Sequence, residues 1–210
     1  MKRLLVMLCL LLASPALAQT TPAPAPAPAP NPATAPVRVA LQTSVGRIVV
    51  EVDRHHAPIT AGNFLKYVDQ KRLDGVIFYR VVKVQDHFGF VQFGIDNNPK
   101  LILPAIRHEP TSQTGLRHLD GTLSIARLQP GTAHGDFTIS VGDQPSFDAD
   151  PSRPGDNLGY AAFGHVVEGM DVVMKIFDAP VDPAKTQRGA FKGEVPAVTV
   201  KILTARRVTP

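Results

Sequence analysis

From residue 37 onward the chain alternates apolar and polar positions in short runs. Residues 37–42 and 47–52 flank Ser44-Val45-Gly46, a pattern that predicts a β-hairpin with one face buried. Pro58-Ile59-Thr60 opens a different period. Ala61, Phe64, Leu65 and Val68 recur at helical spacing, and Lys71-Arg72 stand where cations meet the negative end of a helix. After the turn Leu73-Asp74-Gly75, strand-like runs return at 76–82 and 88–94, joined through Asp86-His87. Residues 101–106 predict a short strand, as do 121–127 and 137–141 on either side of the loop 129–134. A loop rich in Asp, Pro and Gly covers 142–159, a strand 160–166, and a helix 169–177 with Met170, Val173, Met174 and Phe177 on one face. A second long loop, 178–195, precedes a final strand at 198–204. Many short strands, two helices and no strand–helix alternation predict a mainly β protein, a closed antiparallel barrel with helical caps.

The first 36 residues do not share this patterning. Met1-Lys2-Arg3 is a positive head, residues 4–12 are a continuous apolar run, and Ala16-Leu17-Ala18 offers small residues before Gln19. This predicts a secretory signal peptide over 1–18, cleaved before Gln19. The apolar run is shorter than the roughly 20 residues a membrane-spanning helix needs, so stable membrane insertion is not expected. Residues 19–36 are nearly all Ala, Pro and Thr, with Pro at alternate positions from Pro22 to Pro32. Proline fixes φ and removes donors, so an extended, coreless tether is expected. The folded domain is therefore placed at 37–210, and the destination at the periplasm.

Composition narrows the chemistry. Lys and Arg number 22 against 18 acidic residues, and removing Lys2 and Arg3 with the signal leaves 20 against 18. That near balance argues against a nucleic-acid partner. Cys9, the single cysteine, lies in the apolar run, so the processed chain has neither a disulfide nor a thiol nucleophile. The seven histidines show no HxxH or HExxH spacing, so no metal and no cofactor is expected. No Gly-x-Ser-x-Gly elbow is present, and His165 stands where a phosphate-binding loop needs Lys. What stands out is Phe78-Tyr79-Arg80 followed by Phe90-Val91-Gln92-Phe93-Gly94. A fixed cation and a neutral amide among aromatic residues suit chemistry that polarises a bond without making one.

Five blocks carry a resemblance. Thr60-Ala61-Gly62-Asn63-Phe64, Leu73-Asp74-Gly75-Val76-Ile77-Phe78-Tyr79-Arg80, Val91-Gln92-Phe93-Gly94, Gly121-Thr122-Leu123-Ser124-Ile125-Ala126-Arg127 and the run from Tyr160 to Met170 are similar to cyclophilin-type peptidyl-prolyl isomerases. They come in that family's order and span almost the whole domain. The resemblance implies an eight-stranded antiparallel barrel closed by two helices, with the site on its outer face. It places the catalytic arginine on Arg80 and the amide-binding glutamine on Gln92. It places groove residues on Ala126 and Arg127, a wall of the proline pocket on Phe147, and Tyr160 where eukaryotic members carry histidine. Either Phe88 or Phe90 floors that pocket, with Phe90 favoured. Three positions depart from the family: Asp136 replaces a glutamine, Thr138 a phenylalanine and Ser146 an indole.

The resemblance implies non-covalent catalysis of rotation about X–Pro bonds. With the signal-like N-terminus, the expected substrates are exported, partly folded polypeptides, the branch the secreted bacterial one and the protein a monomer. No step needs a shifted pKa, so activity flat across neutral pH is expected. The alternative is a peptide-binding or chaperone module with little turnover, its pocket altered by Asp136, Thr138 and Ser146.

Overall fold

A computed structural model describes residues 35–209. The expected signal peptide and all but the last two residues of the expected tether lie outside the described residues. The elements are β1 (Val37–Thr43), β2 (Gly46–Val52), α1 (Pro58–Asp69), β3 (Ile77–Gln85), β4 (Phe88–Gly94), α2 (Thr111–Thr114), β5 (Thr122–Ile125), β6 (Asp136–Val141), β7 (Ala161–Glu168), α3 (Met170–Phe177) and β8 (Val200–Val208). A single 3-10 turn occupies Pro145–Phe147. The strands form a closed barrel in the order β1-β2-β7-β5-β6-β4-β3-β8, antiparallel throughout, with β8 returning to pair with β1.

Alternation decides what fills the barrel. Val39 and Leu41, Ile48 and Val50, Val91 and Phe93, Phe137 and Ile139 all point inward and are buried. The two longer helices close the ends. From α1, Phe64 packs edge-on against Phe137, with ring centroids 5.0 Å apart, and Tyr67 reaches the same ring. At the other end α3 buries Val172, Val173, Ile176 and Phe177, while Met170 and Met174 are only partly buried at the margins of that face. Among the described residues no helix is long and apolar enough to cross a membrane.

Residues 101–106 do not form the expected strand. Only Ile106 bridges, to Ala133. Pro104 has no N–H to give a ladder, which disfavours strand pairing through the middle of this run. The strand expected at 121–127 is shortened to Thr122–Ile125, because Ala126 leaves the ladder after donating to the Asp136 carbonyl. The last strand is shifted from the 198–204 expected to Val200–Val208, pairing with β1 from Arg38 to Thr43.

Register in β3 and β4 sets up the site. Phe78 pairs with Phe93, but the next pair is Arg80 with Gln92, so Tyr79 is an extra residue in β3. An unbroken strand would turn Arg80 to the same side as Phe78, into the apolar core. The bulge sends it outward instead, and Val81 resumes the inward set opposite Val91.

Candidate active site

Across the outer face, four strands present one row of polar side chains. Arg80 on β3 pairs with Gln92 on β4, Gln92 with Thr138 on β6, and Thr138 with Ser124 on β5. Within it the Arg80 Nη1 donates to Gln92 Oε1 at 3.3 Å, and the buried hydroxyls of Ser124 and Thr138 are 2.7 Å apart. The row runs through a depression of about 610 Å³, open to solvent.

Aromatic rings form its apolar side. Phe90 stands two residues before Gln92 on the same face, and its centroid lies 5.7 Å from that of Phe147 in an edge-on arrangement. Phe147 in turn meets Tyr160 at 5.3 Å. Behind Phe147 lies His118, fully buried, its ring 5.8 Å away and its Nδ1 2.7 Å from Asp148 Oδ1. Burial pushes the His118 pKa down, against the pull of Asp148.

The depression gathers Arg80, Gln92, Phe90, Ala126, Arg127, Asp136, Thr138, Phe147 and Tyr160, all named from the sequence. Phe88 is left out. It opens β4 opposite Gln85, four residues and about 13 Å along the strand from Gln92, beyond the rim. Of the two phenylalanines, the lining one is Phe90. Arg127 braces the wall with its side chain: Nη1 and Nη2 grip Asp156 at 2.7 and 2.8 Å, and Nε donates to the Gly159 carbonyl at 2.9 Å. Its guanidinium holds the Asp156 carboxyl down to about 2. Ser146 lies outside the lining, its carbonyl accepting from Arg153 at 2.7 Å.

Asp136 is more than a replacement for an amide. A single oxygen, Oδ1, accepts from the Tyr79 hydroxyl at 3.1 Å and from the Asp96 backbone N–H at 2.8 Å. Burial nonetheless pushes its pKa up, because these two donors do not make up for lost water.

Residues that the sequence reading passed over complete the site. Phe191 and Glu194 come from the loop before β8. Glu194 Oε2 accepts from Arg80 Nε at 2.6 Å, and the Phe191 ring centroid lies 4.2 Å from the guanidinium carbon. A lone aromatic in the polar stretch 178–195 was the only local signal. Asp96, with Arg188 Nε at 2.7 Å, and Asn97 rim the same end. Among the described residues no group of three or more His, Cys, Asp or Glu is placed to hold a metal ion.

Residues 38–207 match the family model described as cyclophilin type peptidyl-prolyl cis-trans isomerase/CLD. The chain is 34% identical to the peptidyl-prolyl cis-trans isomerase of Acinetobacter baylyi over 169 residues, covering 80% of this chain and 86% of that one. It is 37% identical to peptidyl-prolyl cis-trans isomerase cyp18 of Streptomyces antibioticus over 171 residues, covering 80% and 96%. The barrel superposes on a cyclophilin type peptidyl-prolyl cis-trans isomerase of Cryptosporidium parvum with a TM-score of 0.66 at 18% identity, covering 84% of this chain and 99% of that one. A second structure of that protein, in the presence of dipeptide ala-pro, superposes with a TM-score of 0.65. With its closed eight-stranded barrel and its outward arginine and glutamine, this chain belongs to the cyclophilin-type peptidyl-prolyl cis-trans isomerases.

Proposed function

We propose that this isomerase acts on X–Pro bonds of exported polypeptides, and that it does so by stabilising the twisted imide without a covalent step. The observation that carries the reading is Arg80 and Gln92 facing each other across β3 and β4, beside the Phe90–Phe147 apolar wall.

The planar amide resists rotation by ~18–20 kcal/mol because resonance gives the C–N bond double-bond character. At the twisted state the prolyl nitrogen recovers its lone pair and becomes an acceptor. Arg80 presents a planar fork of N–H groups and keeps donors on Nη1 and Nη2 beyond those given to Glu194 and Gln92. A donor aimed at that nitrogen is worth more in the twisted state than in either planar one, which is the condition for acceleration. Gln92 holds the carbonyl of the residue before proline, through its amide N–H. Phe90, Phe147 and Tyr160 take the pyrrolidine ring and exclude water, which strengthens the polar contacts beside it. Ala-Pro is the smallest segment that fits this scheme, and it is the dipeptide present with the Cryptosporidium relative.

The signal-like residues 1–18 and the Ala/Pro run after them support secretion to the periplasm, in keeping with the bacterial relatives. Export predicts a chain beginning at Gln19 in an envelope fraction, read by mass spectrometry. A monomer is expected, checked by light scattering.

The deciding experiment is a protease-coupled assay on a succinyl-Ala-X-Pro-Phe peptide. Arg80→Ala is expected to lower kcat/KM on the order of 10²–10³-fold, as loss of one preorganised donor to a developing acceptor does elsewhere. Equal rates for wild type and variant would sink the mechanism. Suppressed aggregation of an unfolded client without turnover would favour the binding-module reading.

A further inference from the structure

The loop between α3 and β8 does more than connect them. Its residue Glu194 is fixed by its backbone to the strand that carries Arg80, since its carbonyl accepts the Val81 N–H at 2.7 Å. Its own N–H donates to the Phe191 carbonyl at 3.0 Å, which ties the two residues into one tight turn. Phe191 sits at φ 58°, a conformation a bulky side chain rarely adopts, and from there its ring stacks over Tyr79 at 6.3 Å as well as over Arg80. The guanidinium is thus constrained in both senses. Glu194 on Nε at 2.6 Å and Gln92 on Nη1 at 3.3 Å fix its rotation within the plane. Phe191 at 4.2 Å and Phe90 at 5.2 Å fix the plane itself. Among the described residues no acceptor engages Nη2.

We propose that Glu194 and Phe191 are positioning residues that hold Arg80 in the one orientation from which its terminal N–H groups meet a prolyl nitrogen. The proposal rests on the reading of Arg80 as the group that contacts the twisted imide. An arginine side chain has many rotamers of similar energy, and a donor displaced by an ångström loses most of its effect on a transition state. Glu194 removes that freedom through a charge-assisted bond at the inner nitrogen, leaving the outer ones for the substrate. Its charge works against the task, because a carboxylate beside the guanidinium weakens the field felt by the substrate. Orientation is therefore the contribution that accounts for its presence.

The test uses the chain from Gln19 to Pro210. Glu194→Ala is expected to lower kcat about 10–50-fold with KM within about twofold, since the planar substrate scarcely uses the Arg80 donor. Glu194→Gln keeps an acceptor for Nε and is expected to recover most of that loss. Phe191→Ala is expected to lower kcat about 5–10-fold, and Phe191→Tyr to restore it. In an Arg80→Ala background neither change has anything left to position, so both are expected to be silent. A readout independent of turnover is the Arg80 Nε–H resonance, expected to be sharp and slow to exchange in the wild type and lost in Glu194→Ala. Wild-type kcat in Glu194→Ala, or an unchanged Nε–H resonance, overturns the proposal. So does a loss that persists undiminished without Arg80, which marks a structural effect. A wild type with no turnover overturns the functional reading and the role together, even where the Nε–H signal shows the ion pair formed.

Discussion

Asp136 shows how one side chain can serve a pocket at the expense of the fold. Its carboxylate gathers the Tyr79 hydroxyl and the Asp96 N–H at one oxygen, yet burial raises its pKa above the ordinary 3.8. For an acid the sign is plain: the unfolded chain gives up this proton before the folded one does. Stability is therefore lost as pH climbs from about 3.8 through the raised folded value, and the penalty is absent below 3.8. Asp136→Asn keeps an oxygen that can accept both bonds and removes the buried charge. Its Tm is expected to exceed that of the wild type by about 2–5 °C at pH 7, and the advantage to disappear near pH 3.5, as thermal melts across that range would show. The residue identity and its place in the groove were legible from the motif order. Its partners were not, because Tyr79 lies 57 positions away in the sequence.

At the level of strands and loops, the bulge at Tyr79 is the decisive irregularity, and its neighbours depend on close backbone approach. Gly89, opposite Lys83, has φ 154°, and a methyl group there would fall 1.9 Å from the Val82 carbonyl oxygen. Backbone cannot yield as a side-chain tip can. Gly89→Ala is expected to cost on the order of 2–4 kcal/mol and to lower activity with it, by loosening the β3–β4 pair that holds Arg80 against Gln92. Urea unfolding followed by far-UV circular dichroism would measure the first, and the peptide assay the second. The β1–β2 hairpin and α1 were readable from period two and period 3.6. Val39 and Leu41, then Ile48, Val50 and Val52, and the α1 positions Ala61, Phe64, Leu65 and Val68 each fall on one buried face, with Val49 buried on the other side of β2. Residues 101–106 misled because an apolar run containing Pro104 scores as strand by content while lacking a donor. The loop at 178–195 carried no periodicity at all, so the clamp that Phe191 and Glu194 form was invisible until the loop was folded over β3.

For the whole molecule, stability converges on a single aromatic cluster. Phe137 is fully buried and meets Phe64 at 5.0 Å, Phe93 at 5.8 Å, Phe163 at 5.9 Å and Tyr67 at 6.0 Å. These rings come from a helix and three strands, and they lie just inside the wall whose outer face carries Thr138 and Gln92. Phe137→Ala is expected to cost about 3–5 kcal/mol, read as a lower denaturant midpoint with an unchanged m-value. It should take activity down only as the folded fraction falls, in contrast to Arg80→Ala, which leaves the core intact.

The linear order of residues was enough to give the mainly β character, the first hairpin, the helical caps, the family and most of the groove. Those properties live in short-range periodicity and in motifs that stay contiguous along the chain. Tertiary structure alone supplied the extra residue in β3 that turns Arg80 outward. It alone decided that Phe90 lines the depression and Phe88 does not, that Arg127 braces a loop, and that Glu194 reaches Arg80 across 114 positions. Each of these depends on strand register and barrel closure, where one extra residue reverses the face a side chain takes, and no local pattern of hydrophobic and polar residues records that choice.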